Sequence, residues 1–489
     1  MTPPENRYLL THEDARGVAQ AIMDRTSGFF NITIEHVVRS VNKVSTNTML
    51  GAEDGSLVRL GWNSTLGTGI GVNINTDQLH GAALSRVLDR AVAMESPPTP
   101  PEALPPGTEL DPAKDPDDPL HYTYNKREYL PVDLWRDSTA QAMTTARGEV
   151  LPRLLTGLKT AGMQGAATIG FTTRSIFVFM RLGREAYCRE TDCEVTVTAR
   201  CPDETGSGWS GQASRDWTQI QPDVVLAQAI DLGKRSQHMV ALEPGRRTAI
   251  LGPAAVAQLV REMANCFGAS QADNGYSPFS LVPPRGKQMN KLGMRVFDPR
   301  LTMISDPADT WGGFPPFFEE DDDAGFPTPA VTWVDHGVLK NLAYDVSYAM
   351  KHGKTPMRNP DSIRIIPVPG TQTATIAEMI ANCKEGVYVN RFNDVMMTDF
   401  RSGLMSGVSR DGCFFIKNGK IEKPVKNFRF LDSPFFAFNK LEMIGVPERV
   451  AFGYTTPARR GRDRWPRLPI IVPPIMVQDF NFSAMSDAV

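Results

Sequence analysis

Between Pro97 and Pro119 the chain carries nine prolines, several aspartates and almost no apolar residue after Leu110. Proline locks φ and offers no backbone N–H, so such a stretch can enter neither a helix interior nor the middle of a sheet. It reads as a linker or a long surface excursion, and it cuts the chain after a short N-terminal unit. The full length of 489 residues predicts about three domains at roughly 100–200 residues each. We expect an α+β protein: an N-terminal α+β unit over 1–97, a linker over 98–119, a second α+β unit over 120–240, and a larger β-rich domain over 241–489.

Within the first unit, Thr11 can cap a helix with Asp14 three residues on, and Ala15, Val18, Ala19 and Ile22 supply an apolar stripe at helical spacing. Phe30 to Val44 predicts one or two strands and Leu57 to Trp62 another. Gly67 to Ile74 is a glycine-spaced strand, and Asp77 opens a helix that runs to Met94. In the second unit, Val132 to Leu158 has helical periodicity interrupted at Gly148 and Pro152. Long β-branched and aromatic runs follow at Ala166–Met180, Ala186–Arg200 and Gly208–Ile220, and Asp223–Ser236 closes the unit as a helix. From Arg247 the pattern changes to a short strand at Thr248–Leu251, a helix from Gly252-Pro253 to about Phe267, and then glycine- and proline-punctuated strands. The shared plan of the two early units suggests an old duplication, without a residue-level repeat to prove it.

Composition removes several function classes. Hydrophobic residues make up 41%, enough for several cores, and 55 acidic against 52 basic residues leave a formal charge of -3, which speaks against a generally basic nucleic-acid binder. No apolar run reaches about 18 residues, and Leu468 to Val477 is broken by Pro469, Pro473 and Pro474, so no membrane span is expected. Met1 to Arg25 has neither a basic leader nor an apolar centre, and a cytoplasmic location is expected. Six cysteines (188, 193, 201, 266, 383 and 413) are too few for a disulfide framework. They read as buried free thiols in strands, with a metal or redox role for the Cys188, Cys193 and Cys201 group as the alternative.

No familiar catalytic motif stands out. The seven histidines are scattered, no two within five residues of each other, which provides no histidine pair for zinc. There is no G-x-S-x-G elbow and no phosphate-binding G-x-x-x-x-G-K-[ST]. Two charge clusters stand apart. Glu319-Glu320-Asp321-Asp322-Asp323 reads as a solvated turn, a partner contact or a hard-cation site. Arg459, Arg460, Arg462, Arg464 and Arg467 around Trp465 read as a solvated loop, an oligomer contact or a phosphate- and base-binding patch.

Three stretches of the last segment resemble the TldD/PmbA family, a two-subunit metallopeptidase system with an older description as a modulator of DNA gyrase. They are Lys291 to Asp306, with its strand-turn-strand; Asp322-Asp323-Ala324-Gly325-Phe326-Pro327-Thr328 with Val334 to Leu339; and Asp399 to Gly407 with Ile416 to Ile421 and Pro424-Val425. Gly67 to Val72 ahead of the Asp77 helix is similar to the family's first domain, so the resemblance runs in order from about Asn31 to Val477. Ala324 stands where the family usually has glutamate.

The resemblance also carries an expectation about catalysis. The family's catalytic subunit bears H-E-x-x-x-H on a helix, two zinc ligands and a glutamate base, with a cysteine ligand from a later loop. The matching helix here reads Arg261-Glu262-Met263-Ala264-Asn265-Cys266, and the matching loop, Gly453 to Pro457, has no cysteine. Guanidinium carries a permanent charge and offers no lone pair, so Arg261 would repel the metal. The pattern resembles the PmbA subunit, also called TldE. It implies a degenerate motif at Arg261, Glu262 and Cys266, no catalytic residue and no cofactor in this chain, zinc in a TldD-type partner, and activity only in the pair. Glu262 then pairs with a neighbouring arginine and Cys266 is a small buried hydrophobe. An unfolded peptide, bound as an added strand, is the implied substrate. Ser277, Phe279, Leu281, Asp399, Ser402 and Ser406 are the candidate peptide-binding residues. The alternatives are an active peptidase that gathers Glu262, Cys266 and another Cys or His, a non-enzymatic scaffold, and a DNA-gyrase-linked protein using the arginine patch.

Overall fold

The computed structural model describes residues 9–25, 32–45, 48–62, 72–76, 81–94, 128–179, 184–319, 325–360, 362–452 and 469–486. In chain order the first half carries α1 (His12–Met23), β1 (Ile32–Ser45), β2 (Thr48–Trp62), β3 (Val72–Thr76), α2 (Gly81–Met94), α3 (Asp137–Thr160), β4 (Gln164–Phe179), β5 (Glu185–Arg200), β6 (Ser207–Ser214) and α4 (Pro222–Arg235). The second half carries β7 (Gly245–Leu251), α5 (Pro253–Met263), α6 (Ala269–Asp273), β8 (Ser280–Arg285), β9 (Gln288–Asn290), β10 (Leu301–Ser305), β11 (Val331–Asp335), β12 (Val338–Leu339), α7 (Val346–His352) and β13 (Ile363–Pro367). It continues with α8 (Ile376–Asn382), β14 (Glu385–Asp399), β15 (Leu404–Lys417), β16 (Lys420–Pro424), β17 (Asn427–Asp432), α9 (Pro434–Ala437), β18 (Leu441–Ile444), β19 (Glu448–Arg449), β20 (Ile470–Val472) and β21 (Ile475–Ser486). The fold is α+β with a β-rich C-terminal half. Among the described residues no helix is long and apolar enough to cross a membrane.

Local chemistry sets the first elements. Thr11 and Asp14 close a reciprocal capping box at the start of α1, which satisfies orphan amides of the first turn. The helix buries Ala15, Val18, Ala19 and Ile22, the stripe expected from the sequence. Of the stretch from Phe30 to Val44, the described residues form one long strand, β1, from Ile32. The helix α3 runs unbroken through Gly148 and Pro152, against the expected interruption. One proline removes a single helical hydrogen bond, while Leu151, Leu154 and Leu158 bury the same face on both sides of it. The third long strand ends at Ser214 and not at Ile220. There the Asp216 carboxylate accepts from the Thr218 amide, an Asx-type contact that turns the chain.

The six strands of the first half form one antiparallel sheet in the order β3-β2-β1-β4-β5-β6. β1 pairs with β4 from Ile32 opposite Phe179 to Val44 opposite Ala167. The two N-terminal units read from the sequence therefore share a single sheet. The helices cover one face of it. α1 and α2 pack over Ile32, Ile34, Leu60 and Phe177 at one end, and α3 and α4 over Ile169, Phe171, Val195 and Val197 at the other. Gly208 allows the close approach of β6 to α4, since a Cβ there would lie 2.3 Å from the Gly233 nitrogen.

In the second half, β14, β7, β21, β17 and β15 pair in turn, and β15 pairs again with β14. The ring of pairings closes on itself, which removes free edges from those five strands. Phe392, Phe430 and Phe480 pack within it, with the Phe392 and Phe430 ring centres 4.4 Å apart. β12-β11-β10-β13-β20-β19 makes a second, mixed sheet. The helix α5 lies against β14 of the ring and β20 of the mixed sheet. It buries Ala255, Val256, Ala257, Leu259, Val260 and Met263.

The two halves meet across the helix-free face of the first sheet. Strand periodicity puts Glu190, Asp192 and Glu194 of β5 on that face, so the contact is ionic. Arg174 of β4, buried, bonds Glu35 of β1 at 2.6 Å, Glu190 at 3.0 Å and Glu319 of the second half at 2.7 Å. Arg215 bonds the other oxygen of Glu190 at 3.1 Å and donates to the Gly313 carbonyl. Arg59 stands 3.4 Å from Glu35, so three guanidinium groups balance three carboxylates. Arg449 pairs with Asp192 at 2.6 Å. Asp411, held by Arg391, accepts from Ser207 at 2.8 Å.

Truncating one member of such a network strands the rest as unpaired buried charge. Arg174→Met is expected to destabilise the protein by about 3–5 kcal/mol, read as the shift in a guanidinium denaturation midpoint. A change under about 1 kcal/mol would mean that water relaxes into the site and relieves the carboxylates.

Candidate functional site

The residues matching the zinc motif lie at the C-terminal end of α5 and in the 3-10 turn, Ala264–Cys266, that follows it. The helix forms there because Pro253 sits at its first turn, where no N–H is needed, and because an apolar face repeats through Met263. Arg261 and Glu262 are half-buried neighbours, 3.7 Å apart between Nη2 and Oε1. The Arg261 guanidinium also lies 5.6 Å from the centre of the Phe452 ring. Phe452 is the last described residue before the stretch matching the family's cysteine loop, and it is Phe452 itself that the tertiary structure brings to the end of the helix. The Phe452 amide donates to Glu194 of the first sheet at 2.8 Å, so all three parts of the chain meet at this point.

Cys266 is turned the other way. It is 2% exposed and packs in the main core with Met263 and Phe267. Burial, with the nearby Glu262 carboxylate adding to it, pushes its thiol up to about 12. Zinc takes cysteine as thiolate, and a sulfur packed against Met263 and Phe267 in the core turns no open side toward a cation near Arg261. Arg261 has no lone pair to offer and would set a positive charge beside the cation. The residues at these positions therefore do not fit zinc, and no hydrolytic step can be derived through it here. Among the described residues no cluster of three His, Cys, Asp or Glu side chains has the geometry to hold a metal.

All six cysteines are buried free thiols. Cys188, Cys193 and Cys413 lie in strands as expected, whereas Cys201, Cys266 and Cys383 lie in turns or at a helix end. Burial also raises the Cys383 thiol to about 11 and the Cys413 thiol to about 12.

The expected peptide-binding residues fall into two environments. Ser277 is buried, donates to the Cys266 carbonyl at 2.7 Å and accepts from the Phe279 amide at 3.2 Å. Phe279 stacks edge-on against Phe435 with ring centres 5.2 Å apart, and Leu281 is buried at the base of β8. These three shape the core under the surface. Asp399 and Ser402 occupy the β14–β15 hairpin tip, where the Asp399 carboxylate accepts from the Arg401 and Ser402 amides at 3.2 Å. Ser406 lies on β15, 3.5 Å from Arg429. The fold does bring the two segments together. At Gly403, with φ +64°, a Cβ would lie 2.3 Å from the Phe435 ring and 2.9 Å from Pro278.

Sequence reading missed a cavity of about 280 Å³ between the halves, lined by Trp209 and Gln228 of the first half and Tyr388, Asn390, Glu448 and Arg449 of the second. Asn390 donates across it to the Trp209 carbonyl at 2.9 Å. The one signal for this junction was the spacing of Glu190, Asp192 and Glu194 on a strand whose other face is apolar. The acidic run lies outside the described residues apart from Glu319, which is spent on Arg174 and is not a solvated turn residue. The proline-rich stretch, Gly67 to Gly71, Asp77, Gly453 to Pro457 and the arginine patch also lie outside them.

Comparisons with known proteins agree on the architecture. Residues 244–484 match the PmbA/TldA metallopeptidase C-terminal domain family. The whole chain is similar in fold to a Bacteroides thetaiotaomicron protein provisionally described as a modulator of DNA gyrase, with a TM-score of 0.71 and 17% identity over 99% of this chain and 100% of that one. A Thermotoga maritima protein with the same provisional description matches with a TM-score of 0.71 and 14% identity over 96% and 99% of the two chains. TldE from Thermococcus kodakarensis matches with a TM-score of 0.67 and 14% identity over the same shares.

A raised thiol has a consequence for stability. The unfolded Cys266 thiol ionises near its ordinary value of about 8.5, while the folded one stays protonated up to about 12. Its stabilisation is complete below the first value and is lost as pH rises toward the second. Between pH 8.5 and 11 the stability of the wild type is expected to fall more steeply than that of Cys266→Ala, by up to about 1.4 kcal/mol per pH unit, measured by denaturant titration. Equal slopes would show a thiol open to solvent.

Proposed function

Because this chain belongs to the TldD/PmbA family, we propose that it is the non-catalytic, TldE-type subunit of a two-subunit metallopeptidase, with zinc and the general base supplied by a TldD-type partner. The observation that carries the reading is the chemistry at the motif positions: a guanidinium at Arg261 where a metal-ligating imidazole is required, and a Cys266 sulfur sealed in the core. Glu262, the one motif residue retained, stands beside a cation and has no metal-bound water to deprotonate. The contribution of this subunit is a wall of the chamber that takes an unfolded peptide, in the cytoplasm. The junction between its halves, where α5, Phe452 and Glu194 meet, is the part of this wall nearest to the motif.

An active peptidase with a rearranged ligand set would need the Cys266 thiolate, which burial opposes. The deciding measurement is zinc per chain, by elemental analysis of the protein purified alone without chelators, together with peptidase activity before and after adding a TldD-type subunit. A zinc content near zero, with activity appearing only in the mixture, is expected. One zinc per chain that disappears on Cys266→Ser would overturn the reading.

A further inference from the structure

The β8–β9 arm is the most exposed structured piece of the described chain. Every residue from 282 to 289 is exposed, and Val282, at 79%, is the most exposed large apolar side chain among the described residues. The arm pairs only at Ser280 with Asn290 and at Arg285 with Gln288. A two-stranded ribbon of this kind is marginal in water unless something packs on it. From Asn274 to Phe297 the sequence holds Arg285, Lys287, Lys291 and Arg295 and not one carboxylate, in a chain whose formal net charge is -3. At the base of the arm, Tyr276, 56% exposed, lies under the Arg401 guanidinium of the β14–β15 tip at 5.1 Å. Phe400 of the same tip and Met289 of the arm are each 40% exposed.

Tyrosine, phenylalanine, methionine and arginine gathered on one surface, beside an arm segment that carries no carboxylate of its own, is the composition of a protein–protein contact. Pro283 and Pro284 decide what kind. They remove two amides from β8, so an added peptide strand would find no donors along its middle. Recognition has to be made by side chains, which calls for a folded partner with a shaped apolar recess and negative charge around it. We propose that the β8–β9 arm, with Tyr276 and the β14–β15 tip, is the docking element for the TldD-type subunit, and that it inserts Val282 and Met289 into an apolar recess rimmed by carboxylates that Arg285 and Lys287 meet. This rests on the subunit reading above and adds the surface and the chemistry of the partner's side of the contact.

The test uses the full chain and the TldD-type subunit encoded in the same genome, with the dissociation constant measured by calorimetry. Val282→Asp with Met289→Asp, both at exposed positions, is expected to weaken binding at least about tenfold. Arg285→Glu with Lys287→Glu is expected to weaken it as well and to abolish the loss of affinity on raising salt from about 50 to 500 mM. Val224→Asp on α4, 40% exposed in the other half, is expected to leave binding unchanged. Circular dichroism of each variant confirms that the fold is kept. Arm variants that bind like the wild type, or that lose no more affinity than Val224→Asp, overturn the arm while leaving the subunit reading intact. A wild-type chain that does not bind the TldD-type subunit at all overturns both.

Discussion

Arg174 is the side chain on which the arrangement of the two halves depends. It rises from β4 in the middle of the first sheet and reaches a carboxylate on each neighbouring strand, Glu35 on β1 and Glu190 on β5, and a third, Glu319, on the second half. Desolvating each of these charges costs several kcal/mol, so the network returns little net stability compared with an apolar contact of the same shape. What it supplies is discrimination. Sliding the second half by one residue would leave a buried charge without its partner, whereas an apolar face would tolerate the shift. Arg449 with Asp192 and Arg391 with Asp411 apply the same constraint at other points of the junction. At Asp411 burial alone would raise the carboxyl, but the Arg391 guanidinium outweighs it and holds the group below the usual carboxylate range.

The motif helix is fixed by the opposite kind of force. α5 is wedged between a closed ring of strands and a mixed sheet, with an almost wholly apolar inner face, and its end is tied down by the Ser277 bond to the Cys266 carbonyl. That packing takes Cys266 inward and leaves Arg261 and Glu262 at the junction with Phe452. Two residues five positions apart thus face different media. One follows the core and one follows the ionic junction, and no metal can bridge a sealed thiol and a guanidinium. The misfit of these two positions with zinc is therefore a property of the packing as well as of the residue types.

Much of the secondary structure was legible because its signals are local. The Thr11–Asp14 box, the α1 stripe, the long β-branched strands and the Pro253 helix start each act within a few residues. Where the reading failed, a distant contact had overruled a local rule. Pro152 did not break α3, because the leucines on either side of it are held by β4 and α4. Glu319 looked like part of a solvated acidic turn, yet Arg174, 145 residues earlier, takes it into the interior. No local signal, in turn, announces that Ser277 holds the Cys266 carbonyl or that Phe279 joins an aromatic cluster.

From the sequence alone, then, come the α+β class, the family resemblance and the misfit of Arg261 with a metal, since these rest on periodicity, ordered motifs and the absence of a lone pair. Tertiary structure alone decided that the two early units join in one sheet through β1 and β4, that the C-terminal strands close on themselves, and that Glu190 and Asp192 of β5 are buried against the second half. The physical reason is the same in each case. A side chain's type and spacing are written along the chain, but its solvent is chosen by residues hundreds of positions away, and burial determines whether a carboxylate is a surface charge or a lock and whether a thiol is a ligand or a hydrophobe.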